Sequence, residues 1–239
     1  ARLVSSSTSA MPNVIRHAIF KERKICWKGN LGVKLMKKVI LCFFFSFVLL
    51  MACQNSGTPK LQDGDIIFHT STSSQSKAIQ AATHSKYSHM GIIYHMDNGI
   101  YVFEAVQPVK LTPLKDWIKR GKGQHYVVKR LKNAEKILTP AVIKKLKEEG
   151  YKYLGKDYDL YFEWSDERIY CSELVWKIYK NVLDIELGKL QRIKDFDLSH
   201  PEVKAKMKER YGDNIPFEEL VISPDRIFKS DLLKTVVQK

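Results

Sequence analysis

Cys171 opens a run in which Leu174, Val175, Ile178, Tyr179 and Val182 recur at the i, i+3, i+4, i+7 spacing of one helical face. The positive end of a helix dipole favours a thiolate over a thiol. A helix start together with a protonated imidazole can bring a cysteine from about 8.5 into the range of roughly 3.5–7.5. The residue types therefore suit a sulfur nucleophile at neutral pH, provided that the fold delivers a histidine. The competing reading is a small apolar residue buried in the core.

The histidines after residue 53 are His69, His84, His89, His95, His125 and His200. His89 stands out by its partner. Tyr87–Tyr94 and Ile100–Val106 flank Asp97-Asn98-Gly99, a strong hairpin signal, and Glu104 interrupts an otherwise apolar strand. A carboxylate there is costly to bury unless something pairs with it. The odd separation of His89 and Glu104 across a two-residue loop places both on one face of the hairpin. A loop at Asp97-Asn98 sets Glu104 opposite Gly91, diagonal to His89, whereas a loop at Asn98-Gly99 carries it one pair farther. The residues alone leave the register open, and leave open whether both side chains simply face solvent. His95 shares the face but lies about 20 Å along the strand. His84, in a loop, is the best alternative.

The N-terminal region reads differently. Met36-Lys37-Lys38, the apolar run Val39–Ala52 and the ending Leu50-Met51-Ala52-Cys53 have the order of a secretory signal: basic start, apolar core, small residue at the cut. A run of fourteen residues, apolar but for Ser46, is short for a bilayer span. The ending resembles the lipobox of bacterial lipoproteins, which implies cleavage before Cys53 and acylation of its sulfur. Residues 1–35 are read as an upstream extension, 36–52 as the signal, 53–61 as lipidated cysteine and tether, and 62–239 as the domain. Processing would remove Cys26 and Cys42 and modify Cys53, so Cys171 would have no disulfide partner in its own chain despite an oxidising compartment.

The formal charge of +14 is concentrated in that leader. Residues 1–52 hold 9 Lys or Arg against 1 Asp or Glu, which leaves 31 against 25 for the rest. No zinc-finger spacing or RNA-binding aromatic motif accompanies the remainder, so a nucleic-acid role is disfavoured. No group has metal-ligand spacing, and neither metal nor cofactor is expected.

The elements that must position these residues are mixed. Ile66–Phe68 reads as a strand, Ser73–Thr83 as a helix, and Tyr126–Leu131 as another strand. Thr112-Pro113 and Thr139-Pro140 each read as a cap followed by proline, and Pro201–Gly212 as a charged helix. Leu220–Ile222, a Ser223-Pro224 turn and the apolar stretch Leu232–Val237 close the chain. Strands cluster within 65–131 without regular β-α-β alternation, so the expectation is an α+β domain with an antiparallel sheet.

Five segments in order carry a family resemblance: Gly64-Asp65-Ile66-Ile67-Phe68, Tyr87-Ser88-His89-Met90-Gly91-Ile92, Phe103-Glu104-Ala105, Tyr170-Cys171-Ser172-Glu173-Leu174-Val175 and Ser223-Pro224-Asp225. Together they resemble the YiiX-like family of permuted NlpC-type papain-like cysteine hydrolases, relatives of lecithin retinol acyltransferase. The permutation accounts for histidine preceding cysteine. The resemblance implies Cys171 as nucleophile, His89 as general base and Glu104 as the residue orienting it. The backbone amide of Cys171 is the expected oxyanion donor, with Tyr170 and Tyr87 as further oxyanion or substrate contacts. The function implied is an exported, lipid-anchored hydrolase cleaving an amide bond in a peptide or acyl amide of the cell envelope, cell-wall peptides included. Two alternatives stand beside it: lipid acyl hydrolysis or transfer by the same triad, and a surface-binding lipoprotein without chemistry. A long apolar groove favours acyl chains, and a short pocket with charged walls favours peptide ends.

Overall fold

The computed structural model describes residues 60–239; the readings placed on residues 1–59, Cys53 and the signal among them, lie outside the described residues. The chain forms strand β1 (Ile66–Ser71), helix α1 (Ser74–Thr83), strands β2 (His89–Met96), β3 (Gly99–Glu104) and β4 (Lys110–Pro113), helix α2 (Leu114–Lys119) and strand β5 (Gly121–Leu131). Helices α3 (Ala134–Ile137), α4 (Pro140–Tyr151) and α5 (Cys171–Leu183) follow. The remainder comprises strand β6 (Gln191–Arg192), helix α6 (Pro201–Tyr211), strand β7 (Leu220–Val221), helix α7 (Pro224–Phe228) and strand β8 (Leu233–Gln238).

Six strands form one antiparallel sheet in the order β4-β3-β2-β1-β5-β8, while β6 and β7 pair apart from it. Strand alternation divides the core in two. Ile66, Phe68, Met90, Ile92, Tyr94 and Phe103 point to the side covered by α4 and α5, where they meet Leu146, Leu174, Val175, Ile178 and Tyr179. Ile67, Ile93, Val102 and Val128 point to the other side, closed by Trp117 of α2. His69, His89 and Glu104 have the parity of this second face. Cys171 arises from the helix on the first.

Of the two Thr-Pro pairs read as helix starts, Thr139-Pro140 opens α4, whereas Thr112 lies in β4 and donates its hydroxyl to Glu104, which leaves Pro113 at the N-cap of α2. Thr139 Oγ1 accepts from the Val142 amide at 3.4 Å, and Ser223 Oγ accepts from the Arg226 amide at 3.3 Å, turning the anticipated Ser-Pro turn into the first turn of α7. The strand expected from Tyr126 begins at Gly121, because β1 pairs along it as far as Ser71 opposite Gly121.

The hairpin register is decided by Met96 pairing with Gly99, so the loop is Asp97-Asn98. Ile92 pairs with Phe103, which sets Gly91 opposite Glu104. A side chain at Gly91 would lie 2.5 Å from Val102 Cγ1 and 2.6 Å from the Phe103 carbonyl oxygen. Backbone cannot move aside as a side chain can, so Gly91→Ala is expected to destabilise the domain by about 2 kcal/mol. A lower urea midpoint at unchanged slope is the readout; an unshifted midpoint would show that the hairpin does not need this close approach.

Candidate active site

Glu104 ends β3 with no exposed surface and every oxygen used. Its Oε2 accepts from His89 Nε2 at 2.6 Å, and its Oε1 accepts from Thr112 Oγ1 at 2.5 Å and from the Arg120 guanidinium. Thr112 comes from the neighbouring strand β4, and Arg120 from the junction of α2 and β5. Burial works to raise the carboxyl pKa, but the His89 bond and charge, Thr112 and Arg120 prevail and hold it at about 2. Glu104 is an anion fixed in place.

His89 is the first residue of β2, and with Nε2 committed to Glu104 its Nδ1 is left for Cys171. Burial depresses the imidazole pKa, whereas hydrogen bonding and charge from Cys171 and Glu104 raise it, with a net result of about 9. The ring is thus protonated at neutral pH. Cys171 and His89 belong to opposite faces of the sheet, and they meet because one opens its helix and the other opens its strand. Next to His89 across the β1–β2 pairing lies His69, stacked on Trp117 with ring centroids 3.9 Å apart. Burial first, then the nearby His89 and Arg120 charges, push His69 down to about 3. His69 therefore stays neutral and does not compete with His89 for a proton.

Helix α5 starts at Cys171 for local reasons. Glu173, three residues beyond Tyr170, accepts from the Tyr170 amide at 3.4 Å and pairs with Lys177 at 2.8 Å. Tyr170 is buried, lines the cavity at Cys171, and accepts from the Ile222 amide through its hydroxyl at 3.1 Å. It props the neighbouring chain. Tyr87 does not reach the site: its ring stacks on Phe228 at 4.1 Å and meets Phe68 edge-on, and it lines neither cavity next to the triad. The expectation of Tyr87 as an oxyanion or substrate contact is corrected, since β-strand entry at Ser88 turns it into the Phe68 cluster. His84 is exposed and bound to Asp197 at 3.1 Å, and His95 is held by Asp63.

Tyr158 is the contact that residue types alone did not single out. A bridge between Tyr158 and Ile169 lays the aromatic segment beside the start of α5. The Tyr158 hydroxyl accepts from Gln75 Nε2 at 3.2 Å, and Gln75 Oε1 accepts from Arg210 at 2.7 Å. Burial and the charge of Cys171 raise the phenol well above its ordinary value, so it remains a donor facing the sulfur. Tyr158 stands in an aromatic run, Tyr158–Trp164, but its Gln75–Arg210 support comes from distant segments and carries no local signal.

Residues 60–237 match the family described as "Permuted papain-like amidase enzyme, YaeF/YiiX, C92 family". The chain belongs to this family. A relative in Escherichia coli K12, "Uncharacterized protein YiiX", is 53% identical over 178 residues, which is 74% of this chain and 87% of the relative. A crystal structure of yiiX from Escherichia coli O157:H7, described as a metalloprotein, superposes with a TM-score of 0.72 at 53% identity, covering 76% of this chain and 98% of the other. The α+β antiparallel architecture expected from the sequence is that of the permuted papain-like amidases. As a member of the C92 family the chain is a cysteine hydrolase.

Proposed function

We propose that this hydrolase is exported and lipid-anchored through Cys53, and that it cleaves amide bonds of cell-envelope compounds, whether peptides or acyl amides, with Cys171, His89 and Glu104 as its triad. The observation that supports the reading most is the buried 2.6 Å bond between His89 and Glu104, with Cys171 opening the helix beside the other ring nitrogen. In this mechanism the sulfur attacks the amide carbonyl. The oxyanion is received by the Cys171 backbone N–H, which lies in the helix turn whose amides lack intrahelical acceptors, and by the Tyr158 hydroxyl. His89 gives its proton to the departing amine, then takes one from the water that releases the acyl group. Glu104 keeps the ring in the tautomer and orientation both steps need.

The description of the E. coli relative as a metalloprotein does not transfer through ligands found here: among the described residues no three His, Cys, Asp or Glu are grouped as a metal site requires.

The test is alkylation. Iodoacetamide at neutral pH should label Cys171 many times faster than an ordinary thiol, with the adduct located by peptide mass spectrometry. Labelling at an ordinary thiol's rate would favour a binding module over an enzyme. For the anchor, expression with an intact signal should give a membrane-bound form carrying acyl mass on Cys53, and Cys53→Ala should release it. Unmodified Cys53 in mature protein would reject the lipoprotein reading.

A further inference from the structure

Gln75 ties together three parts of the chain that hold no member of the triad: α1, the segment before α5, and the last turn of α6. Its Nε2 donates to the Tyr158 oxygen at 3.2 Å, and its Oε1 accepts from the Arg210 guanidinium at 2.7 Å. All three side chains are half-buried. The end of α6 also grips the segment that carries Tyr158. Arg210 covers the Phe162 ring at 5.0 Å, and the Tyr211 hydroxyl donates to the Tyr161 carbonyl.

The direction of these bonds follows from what each group can do. A guanidinium has five N–H donors and no acceptor, so the end of Gln75 that faces Arg210 must be its oxygen. The nitrogen is thereby turned to Tyr158. A phenol has a single proton, and an oxygen that accepts from Gln75 keeps that proton for another acceptor. The acceptor at hand is the sulfur. Burial, then the charge of Cys171 and a hydrogen bond to it, raise the phenol against the opposing influence of Gln75 and Arg210. With the amide reversed, Oε1 would face Tyr158 and draw its proton away from the site.

Given Tyr158 as an oxyanion donor, on which this inference rests, we infer that Gln75 and Arg210 are positioning residues for that donor. Arg210 fixes the Gln75 amide, and the amide directs the Tyr158 proton to the carbonyl oxygen under attack. As the C–S bond forms, the carbonyl π pair moves onto oxygen. The Tyr158 hydrogen bond then passes from sulfur, whose charge is spent, to that oxygen. No covalent bond of Tyr158, Gln75 or Arg210 is made or broken. A merely structural tie between α1 and α6 makes the opposite demand on substitutions. Gln75→Glu keeps the size and strengthens the bond to Arg210, so a tie tolerates it, whereas Gln75→Met deletes both bonds.

The experiment uses p-nitrophenyl acetate, with Cys171→Ala as the blank and a urea midpoint for every variant. Gln75→Glu sets an acceptor opposite the Tyr158 hydroxyl. It should lower kcat by at least ~30-fold and change KM by less than about twofold, since one oxyanion donor contributes about 10²–10³. Gln75→Met leaves the Tyr158 proton unclaimed and should cost no more than about threefold, although it is the less stable of the two. Arg210→Met lets the amide turn over; it should lower kcat where Gln75 is present and add nothing to Gln75→Met. Repeating Gln75→Glu in Tyr158→Phe separates the added charge from the captured proton: its cost there should fall below about threefold. If Gln75→Met costs as much as Gln75→Glu, or if the cost of Gln75→Glu persists in Tyr158→Phe, the inference is overturned and Tyr158 stands as donor. A Tyr158→Phe protein as fast as the parent overturns both, with the triad intact. Absence of Cys171-dependent release from the parent rejects the triad and the inference with it.

Discussion

Cys171→Ala is expected to lower kcat/KM on any amide the protein cleaves by at least ~10³-fold while leaving the fold intact. The size of the effect follows from what remains. Without sulfur there is no covalent intermediate, and His89 can only assist a direct attack by water. The oxyanion donors and the substrate walls survive, and such remnants keep a modest acceleration over bulk water. Stability should change little, by about 1 kcal/mol or less, because the volume removed is one sulfur atom and the Glu104 network is untouched. Losing the sulfur also removes a group that raises the His89 pKa, so in this variant the imidazole should titrate below about 9. Three readouts are needed together: the rate, the urea midpoint, and the His89 titration by NMR. An undiminished rate would reject the mechanism, and a lost rate accompanied by a collapsed midpoint would mean that Cys171 is only a core residue.

How much of this could be seen in the residues depended on whether the relevant signal was local. The helix at Cys171 was legible because its apolar face repeats within one segment, and Leu174, Val175, Ile178 and Tyr179 are indeed all buried. The hairpin was legible as well, but its register was not, since both loop placements satisfy the same turn chemistry. The choice rests on close approach at Gly91, which is a tertiary fact. Glu104 was conspicuous as a charge in an apolar strand, yet the two groups that keep it ionised lie in other elements: Arg120 looks like an ordinary surface residue, and Thr112 reads as a helix cap. His69 gave no warning at all. It alternates with Ile67 towards Trp117, and only the assembled sheet puts it beside His89. Tyr87 misled because adjacency to a site in sequence does not fix which side of a strand entry a ring takes. Lys147, one of several lysines on α4, donates to the His95 carbonyl at 3.1 Å, a contact that no local pattern announces.

Glu104→Gln should be nearly as damaging as loss of the sulfur, and for a reason specific to its hydrogen bonds. Oε1 faces two donors, Thr112 and Arg120, while Oε2 faces His89. A glutamine has one oxygen to share, and two donors outbid one. Its amide nitrogen then points at His89 Nε2 and makes that atom an acceptor, which moves the ring proton to Nδ1, the nitrogen that must take the proton from sulfur. The tautomer is reversed, and an inverted tautomer in an acyl-transfer triad costs about 10⁴-fold. The pH behaviour should change with it. In the parent, activity should fade as pH rises through about 9, where His89 loses the proton destined for the amine. Without the carboxylate that limb should move down by more than one pH unit, because burial continues to oppose the charged ring. Stability follows the same groups. The folded His89 pKa is raised, so its contribution is complete below the ordinary 6.5 and disappears as pH climbs through about 9. The folded Glu104 pKa is lowered, so its contribution is complete above the ordinary 4.5 and disappears as pH falls through about 2. The difference in unfolding free energy between parent and Glu104→Gln should therefore be greatest between pH 4.5 and 6.5, at about 3 kcal/mol, and shrink towards both extremes. Urea titrations of the two proteins across pH 3 to 9 measure it directly; a difference that does not vary with pH would mean that Glu104 stabilises by packing and not as the charged partner of His89.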